Sequence, residues 1–355
     1  MPTVDHTIWT RRCLQLAALG AGRVAPNPMV GAVLVQGQRI LAEGWHQRFG
    51  GPHAEVECLR AFGDGPIPDN AILYVNLEPC AHHGKTPPCT DLLVKRGVKH
   101  VVIGQRDPFP AVSGKGIAIL KTVGIAVTED LLSDECRWSQ RRFLTSMEQG
   151  RPYIILKWAQ SRDGFLDQHP RTGRSVHRIS GAATDVLVHR WRSKEQAILV
   201  GSRTVVNDDP SLTVRHVEGL NPLRVVIDRK AITPAISAVY NNAAPTLLLT
   251  GREREDIRVE QCIIPVTEDP ITALMNVLHE RTIRSLLVEG GAEILNHFIA
   301  RGLWDEARVI TGTAQFGAGT PAPSHQRKPT LTLKSGDDRI ELITNGDKPF
   351  ASWDW

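Results

Sequence analysis

Two short segments carry residue types that could hold a catalytic metal: Gly51-Pro52-His53-Ala54-Glu55, and the run from Glu78-Pro79-Cys80 to Pro87-Pro88-Cys89. One imidazole and two thiolates give Zn2+ three ligands and leave a fourth position open to water, as a catalytic zinc requires. The metal would bring the pKa of that water to about 7 and make hydroxide available at neutral pH. His53 and Glu55 are too close in sequence to share one face of a regular helix. They can meet at one site only if His53 lies at the irregular start of a helix, which the preceding Gly50-Gly51-Pro52 favours. Glu55 is then the unligated carboxylate that takes the water's proton and passes it to a ring nitrogen and a leaving amine. Cys89 stands just ahead of a predicted helix, whose positive end should help it ionise. His82 and His83 lie between the cysteines and could in principle bind metal, although substrate-loop roles suit them better. Each residue alone is ordinary, since a lone His at a helix start is commonly a cap and isolated Cys pack as small apolar groups. Their combination at strand and helix ends is the signal. Cys13, Cys58, Cys136 and Cys262 have no ligand-like company.

The elements that must position these groups alternate. A helix is predicted over Thr7–Leu19, a hairpin over Val30–Val35 and Ile40–Glu43, and a helix over His53–Phe62. Strands at Ala71–Leu77, His100–Gly104 and near Ile125–Thr128, with a helix at Thr90–Arg96, complete a largely parallel sheet covered by helices. Cys80 thereby follows a strand end and Cys89 precedes a helix. A polar, Arg-rich stretch over 133–149 ends in Gly150-Arg151-Pro152, after which the pattern restarts. Strands are predicted at Tyr153–Trp158, Ala197–Val200, Arg224–Asp228, Thr246–Thr250 and Ser285–Glu289, with helices at Ala183–Trp191 and Ala292–Ile299. The expected domains are 1–149 and 150–355. The last stretch has strand-like pieces at Thr330–Leu333 and Arg339–Ile343 and no interpretable motif.

The strand–turn–helix Leu287-Val288-Glu289-Gly290-Gly291-Ala292-Glu293 places two glycines where free amides could hold a phosphate. A plain tight turn explains it equally well in isolation.

Composition narrows the classes. The chain has 355 residues, 41% hydrophobic and 23% charged, the balance of a globular protein with two cores. No apolar run approaches the ~18–20 residues that cross a bilayer, and the N-terminus lacks the apolar region of an export signal. The formal net charge of +4 is scattered rather than clustered. With only 5% aromatic residues there is no basic, stacking track for nucleic acid, while a phosphorylated small molecule suits the excess. Six scattered cysteines point to reduced thiols and a cytosolic location.

The metal segments are similar to the signature of zinc nucleobase deaminases, His-x-Glu followed by Pro-Cys-x-x-Cys, with eight residues between the cysteines here. Together with Ala25-Pro26-Asn27-Pro28-x-Val30-Gly31, they resemble the deaminase half of the bifunctional riboflavin-biosynthesis deaminase/reductase family. The second half resembles that family's reductase through Leu156-Lys157-x-Ala159-x-Ser161-x-Asp163-Gly164, the run from Val200-Gly201 to Asp208-Asp209-Pro210-x-Leu212-Thr213-x-Arg215, and Val288-Glu289-Gly290-Gly291.

The resemblance implies a cytidine-deaminase-like α/β/α domain followed by a dihydrofolate-reductase-like α/β domain. It implies one Zn2+ per chain on His53, Cys80 and Cys89, with Glu55 as proton shuttle. The implied substrate is a diaminopyrimidinone carrying a phosphoribosylamino group, deaminated by hydrolysis; NADPH then reduces its ribosyl group to ribityl. Asn27 is implied to meet the pyrimidine, and Lys85 with Thr86 could also reach it. Ala159, Thr204, Asp208, Arg229 and the run Gly291, Ala292, Glu293, Ile294, Leu295, Asn296, His297 are implied NADPH positions, with Arg229 a chemically sensible partner for a phosphate. Lys157, Ser175, Arg192, Leu212, Arg215 and Glu289 are implied substrate positions, and Lys157 or Asp208 could assist proton movement. The family also implies a homo-oligomer joined through the reductase domain. The chain departs from it at Arg178-Ile179-Ser180, where members usually carry Trp-Ile-Thr, and at Val176, where a Ser is common and Ser175 could substitute.

Overall fold

The computed structural model describes residues 5–81, 87–108, 113–170, 178–265 and 267–346. The chain divides into two compact units, parting between Gly150 and Arg151.

The first unit contains α1 (His6–Ala18), β1 (Gly31–Gln36), β2 (Arg39–Trp45), α2 (Ala54–Phe62), β3 (Ala71–Val75), α3 (Cys89–Lys95), β4 (His100–Ile103), α4 (Lys115–Thr122), β5 (Ala126–Thr128), α5 (Ser133–Ser139) and α6 (Arg141–Gln149). Its sheet order is β2-β1-β3-β4-β5. The pairs from β3 to β5 are parallel, but β1 is antiparallel to both β2 and β3. The sheet is therefore only half parallel: the tight turn after Gln36 can join β1 to β2 only as an antiparallel pair. The polar stretch 133–149, for which no element is predicted, forms α5 and α6. Its helical repeat is carried partly by buried polar side chains, Gln140, Arg141, Thr145 and Ser146, so its apolar pattern is faint.

The second unit continues with β6 (Tyr153–Gln160), α7 (Ala182–Lys194), β7 (Ala197–Gly201), α8 (Ser202–Asp208), β8 (Leu223–Asp228), β9 (Thr246–Thr250), β10 (Glu260–Ile263), α9 (Pro270–Glu280), β11 (Ser285–Val288), α10 (Ala292–Ala300), β12 (Glu306–Thr311), β13 (Leu331–Ser335) and β14 (Asp338–Thr344). The sheet runs β10-β9-β8-β7-β11-β6-β12-β14-β13. It is parallel from β10 to β12 and ends in the antiparallel pairs β12–β14 and β13–β14. The uninterpreted C-terminal stretch thus forms one margin of this sheet. Ile154–Leu156, Ala197–Val200, Val225–Ile227, Leu247–Leu249 and Leu286–Val288 are buried and divide between cores on the two faces. That accounts for their continuous apolar runs, which a sheet covered on both faces requires. Arg151 fixes the entry to β6 by donating to both Asp305 oxygens at 2.6 and 2.8 Å, and Asp305 also accepts from the Ile154 amide.

Candidate active sites

In the first unit, β3 delivers Cys80 and the start of α3 delivers Cys89, while His53 immediately precedes α2. His53 is extended, with ψ 163°, and α2 starts at Ala54. This break in helical geometry lets His53 and Glu55 reach one site although they are only two residues apart. His53 Nδ1 lies 3.6 Å from Cys80 Sγ and 3.3 Å from Cys89 Sγ. The three potential ligand atoms all fall within 4.8 Å of one another, the one such His/Cys/Asp/Glu cluster among the described residues. One nitrogen and two sulfurs at this spacing fit zinc. Glu55 is buried beside them, within hydrogen-bonding reach of Cys89, and burial raises its carboxyl above the ordinary range.

The ionisation pattern differs from the expectation for Cys89. Its backbone amide donates to Cys80 Sγ at 3.3 Å, so the first amide of α3 serves the other sulfur. Cys80 is lowered to about 4 by its hydrogen bonds with the Cys89 side chain, His53 and that amide, against the opposing effect of burial. Cys89 is raised well above the usual thiol value, first by Cys80 and then by burial. A coordinating divalent metal would deprotonate both thiols.

The residues around this centre were only partly anticipated. Glu78 appears in the sequence motif without a role, yet its carboxylate accepts from the amides of Asp107, Gly114 and Ile117 at 3.2, 2.9 and 3.2 Å. It thereby ties the chain entering Cys80 to the first turn of α4. The approach is close: a Cβ on Gly116 would stand 2.2 Å from the Pro79 carbonyl oxygen. The loop bearing Asn27 is held by Asn76, which accepts from Gly31 N at 2.8 Å and donates to the Met29 carbonyl at 3.1 Å, and by Gln140, which also binds Met29. Asn27 itself contacts His46, whose ring lies edge-on to His53. No ligand spacing signals His46. His82, His83, Lys85 and Thr86 lie outside the described residues.

In the second unit, Lys157 on β6, Arg192 on α7 and Glu289 after β11 converge. Arg192 donates to both Glu289 oxygens at 2.7 Å, and Lys157 Nζ lies 3.7 Å from Glu289. Arg192 also reaches the Thr213 carbonyl at 3.3 Å, and Arg215 donates to Thr213 Oγ1 at 2.8 Å. Arg215 thus joins the cluster through Thr213. Leu212 is buried in the core with φ 52°, so its side chain packs inward and its backbone is what the loop can offer. Ser175 and Val176 lie outside the described residues. Arg178 pairs with Asp185, and Ser180 Oγ donates to the same carboxylate at 3.3 Å.

The Gly290-Gly291 turn has the form of a cradle. A Cβ on Gly290 would meet Val200 Cα at 2.9 Å; Gly291 has φ +70°, and a Cβ there would lie 3.3 Å from Thr204 Oγ1. Among the described residues no side chain caps α10, so its first amides can serve an anion. Asp208 ends α8, Ala159 lies on β6, and Arg229 follows β8 with its Nη2 3.5 Å from the Pro265 carbonyl. The run Gly291–His297 is not uniform. Ala292 opens α10, Ile294 is half-buried, Leu295 belongs to the core, Glu293 pairs with Arg203 and Asn296 is exposed. His297 lies 3.5 Å from Asp269. The helical period sends successive members to different faces.

The model for the zinc-binding region of cytidine and deoxycytidylate deaminases matches residues 5–105, and the model for the RibD C-terminal domain matches residues 152–346. The chain is 37% identical over 319 residues to the riboflavin biosynthesis protein RibD of Aquifex aeolicus, covering 88% of each. It is 36% identical over 327 residues to the Escherichia coli protein of that name, covering 86% of this chain and 87% of the other. Among solved structures, the diaminohydroxyphosphoribosylaminopyrimidine deaminase/5-amino-6-(5-phosphoribosylamino)uracil reductase of Thermotoga maritima shows 35% identity and a TM-score of 0.87, covering 95% of this chain and 98% of that one. RibD of Acinetobacter baumannii shows 32% identity and a TM-score of 0.86 over the same shares.

Proposed function

The chain belongs to the RibD family of bifunctional riboflavin-biosynthesis enzymes, and from that premise we propose that residues 1–149 are a zinc-dependent aminohydrolase and residues 150–355 an NADPH-dependent reductase. The substrate is a small phosphorylated pyrimidine, a diaminopyrimidinone ribotide. Its exocyclic amino group is lost to water, and its ribosyl group is then reduced to ribityl.

In the first step His53, Cys80 and Cys89 hold zinc, which when bound supplies Lewis acidity that makes water nucleophilic at neutral pH. Glu55 takes the two protons of the attacking water in turn, passing one to the ring nitrogen as the C–O bond forms and the other to the amine, which leaves as ammonia as the C–N bond breaks. Its burial, which strengthens proton affinity, suits a group that must both take and give. Asn27 orients the pyrimidine.

In the second step the uncapped start of α10 and the Gly290-Gly291 turn receive phosphate groups of NADPH, which when bound supplies hydride. Thr204, Asp208, Ala159 and Arg229 complete the cofactor positions. Lys157, Arg192, Arg215 and Glu289 bind the ribotide and hold its ring-opened imine with C1′ available for reduction, chiefly a matter of positioning.

The reading rests above all on one observation: three zinc-type donors converge beside a buried carboxylate in a chain of this family. It extends to a cytoplasmic homo-oligomer joined through the second unit. That none of the six cysteines is paired in a disulfide supports the compartment, and size-exclusion chromatography measures the assembly. The test is a mass-resolved assay of zinc-loaded protein with the ribotide, with and without NADPH. Ammonia should appear in both cases and the ribityl product only with NADPH. Chelation should stop ammonia release and with it the ribityl product, while reduction of ribotide supplied already deaminated should continue. Glu55→Gln should keep its zinc and lose deamination by ~100-fold or more, and undiminished deamination would remove Glu55 from its assigned role.

A further inference from the structure

We propose that His189 is a positioning residue of the reductase site, anchoring the backbone of Arg215 so that Arg192 and Arg215 meet the substrate phosphate as a fixed pair. His189 and Arg192 lie one turn apart on α7 and therefore share a face. Arg192 is fixed from two sides, by both Glu289 oxygens at 2.7 Å and by the Thr213 carbonyl at 3.3 Å. Arg215 has far less support. It is exposed, no carboxylate pairs with it among the described residues, and its guanidinium makes one hydrogen bond, to Thr213 Oγ1 at 2.8 Å. A long side chain so placed has rotamer freedom to lose when it binds an anion.

The backbone beneath it is where His189 acts. The Arg215 amide donates to His189 Nδ1 at 2.8 Å, and the imidazole is buried. That nitrogen can accept only if it carries no proton, which leaves the ring proton on Nε2. Burial first, then Arg192, Arg215 and His216, push His189 down to about 4, against the pull of Glu289, so the acceptor is present at neutral pH. The His216 ring lies edge-on to it at 4.4 Å. Among the described residues the cluster is short of negative charge: Lys157, Arg192 and Arg215 face the single carboxylate of Glu289. A phosphate monoester supplies the missing charge. This inference rests on the reading of the cluster as the site of a phosphorylated substrate.

The experiment measures reductase KM and kcat for the deaminated ribotide on the full-length, zinc-loaded protein, together with inhibition by ribose phosphate. His189→Leu should raise the ribotide KM about tenfold and weaken ribose phosphate inhibition in parallel, the loss of one buried hydrogen bond. Its kcat and the KM for NADPH should change little. His189→Asn, whose amide oxygen falls near the position of Nδ1, should restore near-normal KM. His189→Gln, whose amide lies one carbon farther out, should behave like the Leu variant. If the Leu variant does not fold, the Asn and Gln pair decides. Equal KM values in those two variants, whether normal or impaired, overturn the proposal, provided that Arg215→Ala raises KM. If Arg215→Ala leaves both KM and ribose phosphate inhibition unchanged, the reading of the cluster as a phosphate site fails instead.

Discussion

The Asn27 amide nitrogen and His46 Nε2 stand 3.2 Å apart, while His46 Nδ1 faces the Pro52 carbonyl at 2.8 Å. A carbonyl can only accept, so Nδ1 carries the ring proton and Nε2 accepts from Asn27. This fixes which way the Asn27 amide points and turns its oxygen, an acceptor, toward the role proposed for it with the pyrimidine. It also couples the Asn27 loop to the residue immediately before His53. Burial lowers the His46 pKa, with His53 adding to the effect, which favours the neutral ring this arrangement needs.

His46→Phe should therefore lower deamination about tenfold while zinc content and NADPH-dependent reduction of already deaminated ribotide stay unchanged, since two half-buried groups lose their partner. Paired metal analysis and ammonia assays check this. Full deaminase activity would show that Asn27 needs no such orientation.

The Gly290-Gly291 turn predicts two different defects. In Gly290→Ala the new methyl meets backbone of β7 at 2.9 Å, so the helix must move and both stability and NADPH affinity should fall. In Gly291→Ala the cost comes from φ +70° and is ~1 kcal/mol. The methyl also crowds Thr204, so NADPH affinity should fall more than the melting temperature. Fluorescence titration with NADPH alongside thermal melting separates the two.

Glu289 makes stability depend on acid. Burial alone would raise its carboxyl, but Arg192 and Lys157 outweigh burial and hold it at about 2, against an ordinary 4.5. A depressed folded-state pKa stabilises the fold above the unfolded value, and the gain disappears as pH falls from 4.5 toward about 2. Its size at neutral pH is on the order of 3 kcal/mol. Glu289→Gln leaves two cations buried without their carboxylate and should cost ~3–5 kcal/mol at pH 7. Urea unfolding across the acid range should show the gap between variant and parent narrowing. A gap independent of pH would contradict the assignment.

Arg224 is fully buried on β8 and, among the described residues, donates only to uncharged acceptors. These are Thr246 Oγ1, Asn241 Oδ1 and the carbonyls of Ser211, Ala238, Asn241 and Ala244. Arg224→Met should cost ~3 kcal/mol, because the carbonyls around a fully buried guanidinium lose their shared donor together. Ser211 adjoins Leu212, so the ribotide KM should rise as well. Denaturant unfolding and reductase kinetics check the two parts.

The metal centre was legible because few residue types can ligate zinc, and because Gly50-Gly51-Pro52 announced the break that brings His53 and Glu55 together. The supporting groups were not. Glu78, His46 and His189 act through bonds to backbone atoms or amides distant in sequence, and no spacing rule connects Glu78 to Ile117 or His189 to Arg215. The apolar strands of the second unit stood out as continuous runs, whereas β10, short and half-exposed at the sheet edge, gave almost no pattern. The ready ionisation expected of Cys89 is not seen in the metal-free thiols, because proximity to the start of a helix does not decide which sulfur receives its first amide.

β12 shares its hydrogen bonds with β6 on one side and with β14 on the other. Its outer row of amides and carbonyls is thus sealed by a segment translated after nearly everything else in the fold. Until that segment arrives, a nascent or prematurely terminated polypeptide presents a bare β margin that a sister molecule can annex. Nonsense changes between Gly312 and Asp337 should consequently drive the product into insoluble clumps even though every assigned catalytic and binding residue has already been made.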